Sequence, residues 1–143
     1  MKVVLDTSVI VEIDRKSEET IKIIKRLVDG GHDILVSTIT ISEILTGSYL
    51  RKDFKKALFE ARRILGQFIW VDLSSEIAEK TAQYMAYLVS EGKTIEYQDV
   101  AIAATFRTTG SDYLLTLNKM HFESIPELKG KVYGPAEFRK VVR

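Results

Sequence analysis

The sequence predicts an α/β fold, a short parallel β-sheet flanked by helices on both faces. Three observations predict it. Apolar runs such as Val3-Val4-Leu5, Ile34-Leu35-Val36 and Leu114-Leu115 are short and nearly unbroken, as in strands buried on both faces. Segments with helical apolar spacing lie between them, and that alternation argues for parallel strands joined by helical crossovers. Only two prolines occur, Pro126 and Pro135, both late, and no low-complexity linker or repeat divides the 143 residues. That length fits one domain, expected to span residues 1–143, and suffices to bury a core.

The elements follow in order. Lys2 to Leu5 is a strand, and Asp6-Thr7-Ser8 leads from it into a helical stretch. Ser17 to Val28 is a helix with Ile21, Ile24, Leu27 and Val28 at helical spacing, ended by Gly30-Gly31. Asp33 to Ser37 holds the second strand. Helices are expected at 41–50 and 53–66, and Ile69-Trp70-Val71 is the third strand. A long helix spans 75–91 and another 96–108, closed by Gly110. Tyr113 to Thr116 is the fourth strand. Lys131 to Tyr133 is an edge strand, and a last helix starts with Pro135 in its first turn.

Composition narrows the function. A hydrophobic fraction of 45% marks an ordinary globular chain, and a net charge of +1 excludes a generalised polyanion binder. Nucleic-acid affinity would have to come from a local patch. With no cysteine, disulfides and thiolate metal sites are excluded. No apolar run approaches the ~20 residues that span a bilayer, and Met1-Lys2-Val3 enters a strand without the features of a signal peptide. A cytoplasmic setting without membrane association is the expectation.

Four polar positions carry the chemistry: Asp6, Glu43, Asp99 and Asn118. Asp6 ends the first strand and Asn118 follows the fourth. In an open α/β sheet the carboxyl ends of strands face a common crevice where ligands bind. Acids gathered there repel one another unless a cation intervenes, and hard oxygen donors suit Mg²⁺ or Mn²⁺. A small metal-dependent phosphoryl-transfer enzyme is the resulting expectation.

Each position also has a purely structural reading. Asp6 can cap the following helix. Thr40-Ile41-Ser42-Glu43 matches a capping box, in which the glutamate returns to the cap N–H. Asp99 is expected in the second turn of its helix and shares a face with Ile95, Ile102 and Phe106. A carboxylate on such a face costs several kcal/mol unless compensated. The helix dipole offers an exposed acid only ~0.3–1 kcal/mol, so Asp99 reads as functional. Asn118 can cap the turn from Lys119 to Glu123 or orient a water. Thr116 points to the same strand end and can orient a ligand. His32 and His121 form no zinc pattern and read as surface residues. The basic run from Arg51 to Arg63 can contact phosphates, but reads rather as the solvated face of an amphipathic helix. Tyr84, Met85 and Tyr87 suit either core or a dimer surface.

Taken together, these pieces resemble the PIN-domain family, in particular VapC-type toxin ribonucleases. The resemblance rests on Val3 to Ile10, on Ser42-Glu43-Ile44-Leu45-Thr46-Gly47, on Gly92 to Ala104 around Asp99, and on Leu114-Leu115-Thr116-Leu117-Asn118 with Phe122. It implies a PIN-like fold and a Mg²⁺- or Mn²⁺-dependent endoribonuclease, with Asp6, Glu43 and Asp99 as metal-binding acids. It also implies an RNA substrate, a small antitoxin partner and a homodimer. A fourth acid is usual near Asn118 or a few residues later; here Asn118 and His121 stand instead, with Glu123 nearby. That departure keeps a second expectation open, a PIN module that binds RNA or protein without cutting. Other phosphate-handling folds fit less well. A haloacid-dehalogenase-type phosphatase needs an Asp where Ser8 stands, and a receiver domain needs acids and a phosphoacceptor that the first and third strands lack.

Overall fold

In the computed structural model, which describes residues 1–142, five strands form one sheet in the order β3-β2-β1-β4-β5, and every pair is parallel. The strands are β1 (Lys2–Leu5), β2 (Asp33–Ser37), β3 (Ile69–Val71), β4 (Tyr113–Leu115) and β5 (Val132–Tyr133). The helices are α1 (Thr7–Asp14), α2 (Glu18–Asp29), α3 (Thr38–Tyr49), α4 (Phe54–Leu65), α5 (Ser75–Ser90), α6 (Tyr97–Thr108), α7 (Lys119–Glu123) and α8 (Pro135–Phe138). Pro126–Leu128 makes one 3₁₀ turn.

The expected sheet is present, with β1 at its centre. Val4 is in register with Leu35 on one side and Leu114 on the other. Alternate side chains of β1 point to opposite faces. Val3 and Leu5 join a core with residues of α1, α2, α4 and α8, while Val4 joins a second core with residues of α5 and α6. All three are fully buried, and each such side chain contributes about 1.5–3 kcal/mol of transfer free energy. Ala101, Ala103 and Ala104 are also fully buried, so α6 packs closely against the sheet. Tyr84 belongs to this second core and donates its hydroxyl to Glu127 at 2.7 Å; Met85 and Tyr87 pack against the same cluster.

Helix starts show where local pattern and fold part company. β2 passes directly into α3, so that helix begins at Thr38 rather than at 41. Ser37 is its cap, accepting the Ile39 N–H at 3.1 Å. The capping box expected at Thr40 and Glu43 is therefore absent: Thr40 is already inside the first turn and fully buried. Asp6 and Asn118 occupy the N-cap positions of α1 and α7, but neither side chain makes a capping bond. Asp99 lies in the first turn of α6, not the second, because that helix starts at Tyr97. At the other end of α2, Gly31 adopts φ +71°, a left-handed conformation that favours glycine.

Candidate metal centre

The strand order reverses between β1 and β4, and a crevice opens beyond the carboxyl ends of strands at such a switch point. Asp6 follows β1 there, and its own N–H donates to the Leu115 carbonyl of β4 at 2.9 Å. Its side chain is 2% exposed, deep for a carboxylate. Two hydroxyls meet its Oδ2, Ser8 at 2.7 Å and Thr116 at 2.7 Å. Each of those hydroxyl oxygens accepts a backbone N–H in turn, Leu117 to Ser8 at 3.0 Å and Asn118 to Thr116 at 2.9 Å. Asp6 is thus fixed by hydrogen bonds from neutral donors.

Glu43 reaches the same region from α3, which packs on both α1 and α6. Thr7 donates its hydroxyl to Glu43 Oε1 at 2.7 Å and lies 3.0 Å from the Thr40 hydroxyl. The glutamate that local pattern assigns to a helix cap is held instead by the first residue of α1. Partial burial pushes its carboxyl above the ordinary range; the Thr7 bond opposes this, and the charges of Asp6, Asp99 and Glu96 add to the rise.

Asp99 enters from α6. Its side chain is 21% exposed, so it sits at the rim rather than in the core. Burial raises its pKa first, the Asp6 charge second and Glu96 more weakly, while the nearby His121 lowers it. His121 Nδ1 lies 3.4 Å from Asp99 Oδ2. His121 is exposed, as expected, but it faces the crevice and does not stand apart from it. His32, by contrast, lies beside the Met1 amino group at 3.1 Å, at the other end of the sheet.

Asp6, Glu43 and Asp99 therefore feel one another's charge. Among the described residues none of them hydrogen-bonds a lysine or arginine, and each keeps one oxygen without a donor. Among the described residues, no three acidic or histidine side chains stand close enough together to hold a metal ion as they are placed. Asn118 is exposed at the same end of β4, and its amide contacts none of the acids. Glu123 is turned away to Lys119 at 3.7 Å, and Lys119 also binds Glu137 at 3.2 Å. Four participants escaped sequence reasoning: Thr7 as a partner of Glu43, Ser8 as a partner of Asp6, Glu96 as an added charge, and His121. Thr7 is brought to Glu43 by the packing of α1 on α3, and His121 to Asp99 by that of α7 on α6.

A groove of about 790 Å³ leads away from Thr7 and Glu43 between α1, α3 and α4 toward Arg51, Lys56 and Arg63. Two of those cations are matched locally, Arg51 by Asp53 and Arg63 by Glu60, both at 2.9 Å. That agrees with a solvated helix face. No described helix is long and apolar enough to cross a membrane.

An all-parallel sheet flanked by helices, with Asp6, Glu43 and Asp99 brought to the carboxyl end of its central strands, defines an open-sheet α/β protein. The PIN domain model matches residues 3–128, and the chain belongs to that family. Solved structures agree with the fold. VapBC2 from Rickettsia felis, bound to a DNA fragment from its promoter, is similar with a TM-score of 0.84 at 21% identity, covering 94% of this chain and 98% of that one. FitAcB from Neisseria gonorrhoeae is similar with a TM-score of 0.78 at 27% identity, covering 93% and 97%. VapC20 of Mycobacterium tuberculosis, a toxin that cleaves the sarcin–ricin loop, is similar with a TM-score of 0.57 at 16% identity, covering 78% and 86%. No curated protein sequence matches the chain.

Proposed function

We propose that this protein is a Mg²⁺- or Mn²⁺-dependent endoribonuclease, the toxin of a VapBC-type toxin–antitoxin pair. The observation that carries the reading is that Asp6, Glu43 and Asp99 lie near enough to feel one another's charge, with no lysine or arginine bonded to any of them. The donor set fits the ion: three hard carboxylates, each with an uncommitted oxygen. Their open arrangement also fits, since Mg²⁺ usually keeps several waters and takes only one or two protein carboxylates. Membership of the PIN family and the fold shared with VapBC proteins support the same reading. The similarity to a toxin that cleaves the sarcin–ricin loop is in keeping with RNA as the substrate.

In this reading Asp6, Glu43 and Asp99 hold the ion. A bound divalent cation would supply a water of lowered pKa and offset charge on the scissile phosphate. The protein's own share is placement. Ser8 and Thr116 keep Asp6 from turning away, Thr7 does the same for Glu43, and Asn118 offers its amide to the attacking water. No histidine acid–base pair takes part, because His32 lies at the far end of the sheet. The reading includes a small antitoxin that covers the acidic crevice, assembly as a homodimer and a cytoplasmic location.

The test is RNA cleavage by the purified protein with Mg²⁺ or Mn²⁺ and in excess EDTA. Cleavage that stops in EDTA and returns with the ion is expected; full-rate cleavage in EDTA overturns the reading. The neutral Asn118, where the family often has an acid, favours a second reading, a module that binds RNA or protein without cutting. Binding without cleavage in either ion would establish it.

A further inference from the structure

We propose that the outer face of α4 binds unpaired RNA, with Phe59 stacking on a base between phosphates met by Lys55 and Arg62. The inference rests on the RNA-directed reading above. It adds the form of RNA taken and a surface outside the acidic crevice.

Positive charge is concentrated on this part of the chain. Residues 51–63 hold six cations, Arg51, Lys52, Lys55, Lys56, Arg62 and Arg63, against Asp53 and Glu60, in a chain of net charge +1. The rest of the molecule is therefore net acidic, and this segment is where a polyanion finds its match. Arg51 and Arg63 have acidic partners, but Lys55 and Arg62 have none among the described residues.

Spacing gives that charge a shape. Lys55, Phe59 and Arg62 stand at i, i+4 and i+7, so they share one face of α4. The two cations lie about 10 Å apart along the axis, at 1.5 Å per residue. The Phe59 ring between them is 67% exposed. With Leu58 and Arg63 these side chains line a shallow hollow of about 610 Å³. A solvated helix face accounts for the charges but not for an exposed ring set among them. Single-stranded RNA uses both, since cations follow its backbone while its bases stack on aromatic rings regardless of sequence. A duplex keeps its bases stacked on one another and has no free face for Phe59. The hollow also lies beside the path from the crevice. α4 packs on α1 and α3, the helices of Thr7 and Glu43. Arg63 borders both the hollow and the groove that leads from those two residues.

The experiment measures binding of a labelled RNA of about 16 nucleotides, single-stranded or paired with its complement, to the full chain in excess EDTA. The parent should prefer the single strand. Phe59→Ala should weaken single-strand binding roughly tenfold, and Phe59→Trp should restore it. In the double variant Lys55→Gln, Arg62→Gln the slope of log affinity against log salt should become shallower by about 0.7 for each charge removed. Lys22→Gln with Lys25→Gln, exposed on α2, should change neither quantity. All these side chains are exposed, and thermal melts confirm that each variant is folded. Single-strand binding indifferent to Phe59 and to both cations, with EDTA-sensitive cleavage intact, overturns this inference, leaves the nuclease reading standing and assigns the face to an acidic protein partner. Equal losses for duplex and single strand in Phe59→Ala also overturn it. Phe59-dependent binding with no cleavage in either ion upholds the surface and overturns the nuclease. A parent that neither binds nor cuts RNA overturns both.

Discussion

Thr116 donates its hydroxyl to Asp6 Oδ2 at 2.7 Å, and both side chains are buried although 110 positions separate them in the chain. This contact ties the ends of the two central strands together at the crevice. It also leaves the carboxylate charge in place, because the donor is neutral. A lysine or arginine there would have cancelled the charge.

Replacing Thr116 with valine keeps the shape and removes the hydroxyl. Asp6 then loses one of its two hydroxyl donors, and the Asn118 N–H loses its acceptor. Hydrogen bonds to charged groups contribute about 1.5–3 kcal/mol, so a loss of that size is expected in chemical denaturation. Mn²⁺ affinity should fall as well, because Asp6 can turn. Thr116→Ser should restore most of both. Unchanged stability in Thr116→Val would show that the hydroxyl does not hold Asp6.

Glu43 and Ser37 separate site from scaffold. Glu43→Gln keeps the bond from Thr7 but removes a charge from the crevice. Its melting temperature should stay level or rise while RNA cleavage collapses. Ser37→Ala removes the real cap of α3 and should cost about 0.5–2 kcal/mol without altering Mn²⁺ affinity. The opposite pattern, stability lost in Glu43→Gln with cleavage intact, would return the glutamate to a structural role.

Asp99 gives the pH prediction. Its folded-state pKa is raised, first by burial and then by Asp6. A raised carboxyl favours the folded state while protonated. The parent's deficit therefore begins as pH rises through the ordinary carboxylate value, about 3.9, and is complete above the raised folded value. Glu43 is raised too and acts in the same direction. The metal-free Asp99→Asn variant should melt above the parent at neutral pH. The gap should close in acid and narrow when Mn²⁺ is added to the parent. Thermal melts at both pH values, with and without Mn²⁺, measure it. A lower neutral melting temperature for the metal-free variant would make Asp99 a structural hydrogen-bonding residue.

Much of this architecture is legible locally. Val3-Val4-Leu5 reads as a buried strand because no position in it is polar, and Gly30-Gly31 marks a helix end through backbone freedom. Glu43 misleads for an equally local reason. The capping-box pattern is present in its sequence, but Ser37 starts the helix earlier because β2 has no loop after it. The α1 segment signals a helix without its limits. His121 and Thr116 could not be assigned partners from sequence, since their contacts exist only once β1 lies beside β4 and α7 packs on α6. Asp99 stood out because it shares a helix face with Ile102 and Phe106, although the fold sets it at the rim beside Asp6, Glu96 and His121 and not in the core.

The placement of β1 also sets an order of assembly on the ribosome. Its partner on one side, β2, emerges early, but β4 ends at Leu115, about four-fifths of the way along the 143-residue chain. Until then one edge of β1 has no strand beside it, and Asp6 lacks both Leu115 and Thr116. Pairings between distant segments form late, because a long loop must first be closed. A nascent chain halted before β4 carries Asp6, Glu43 and Asp99 yet has no crevice to put them in. Truncated translation products that end before β4 should therefore lack the assembled site, and the activity proposed above should arise only as synthesis nears its end.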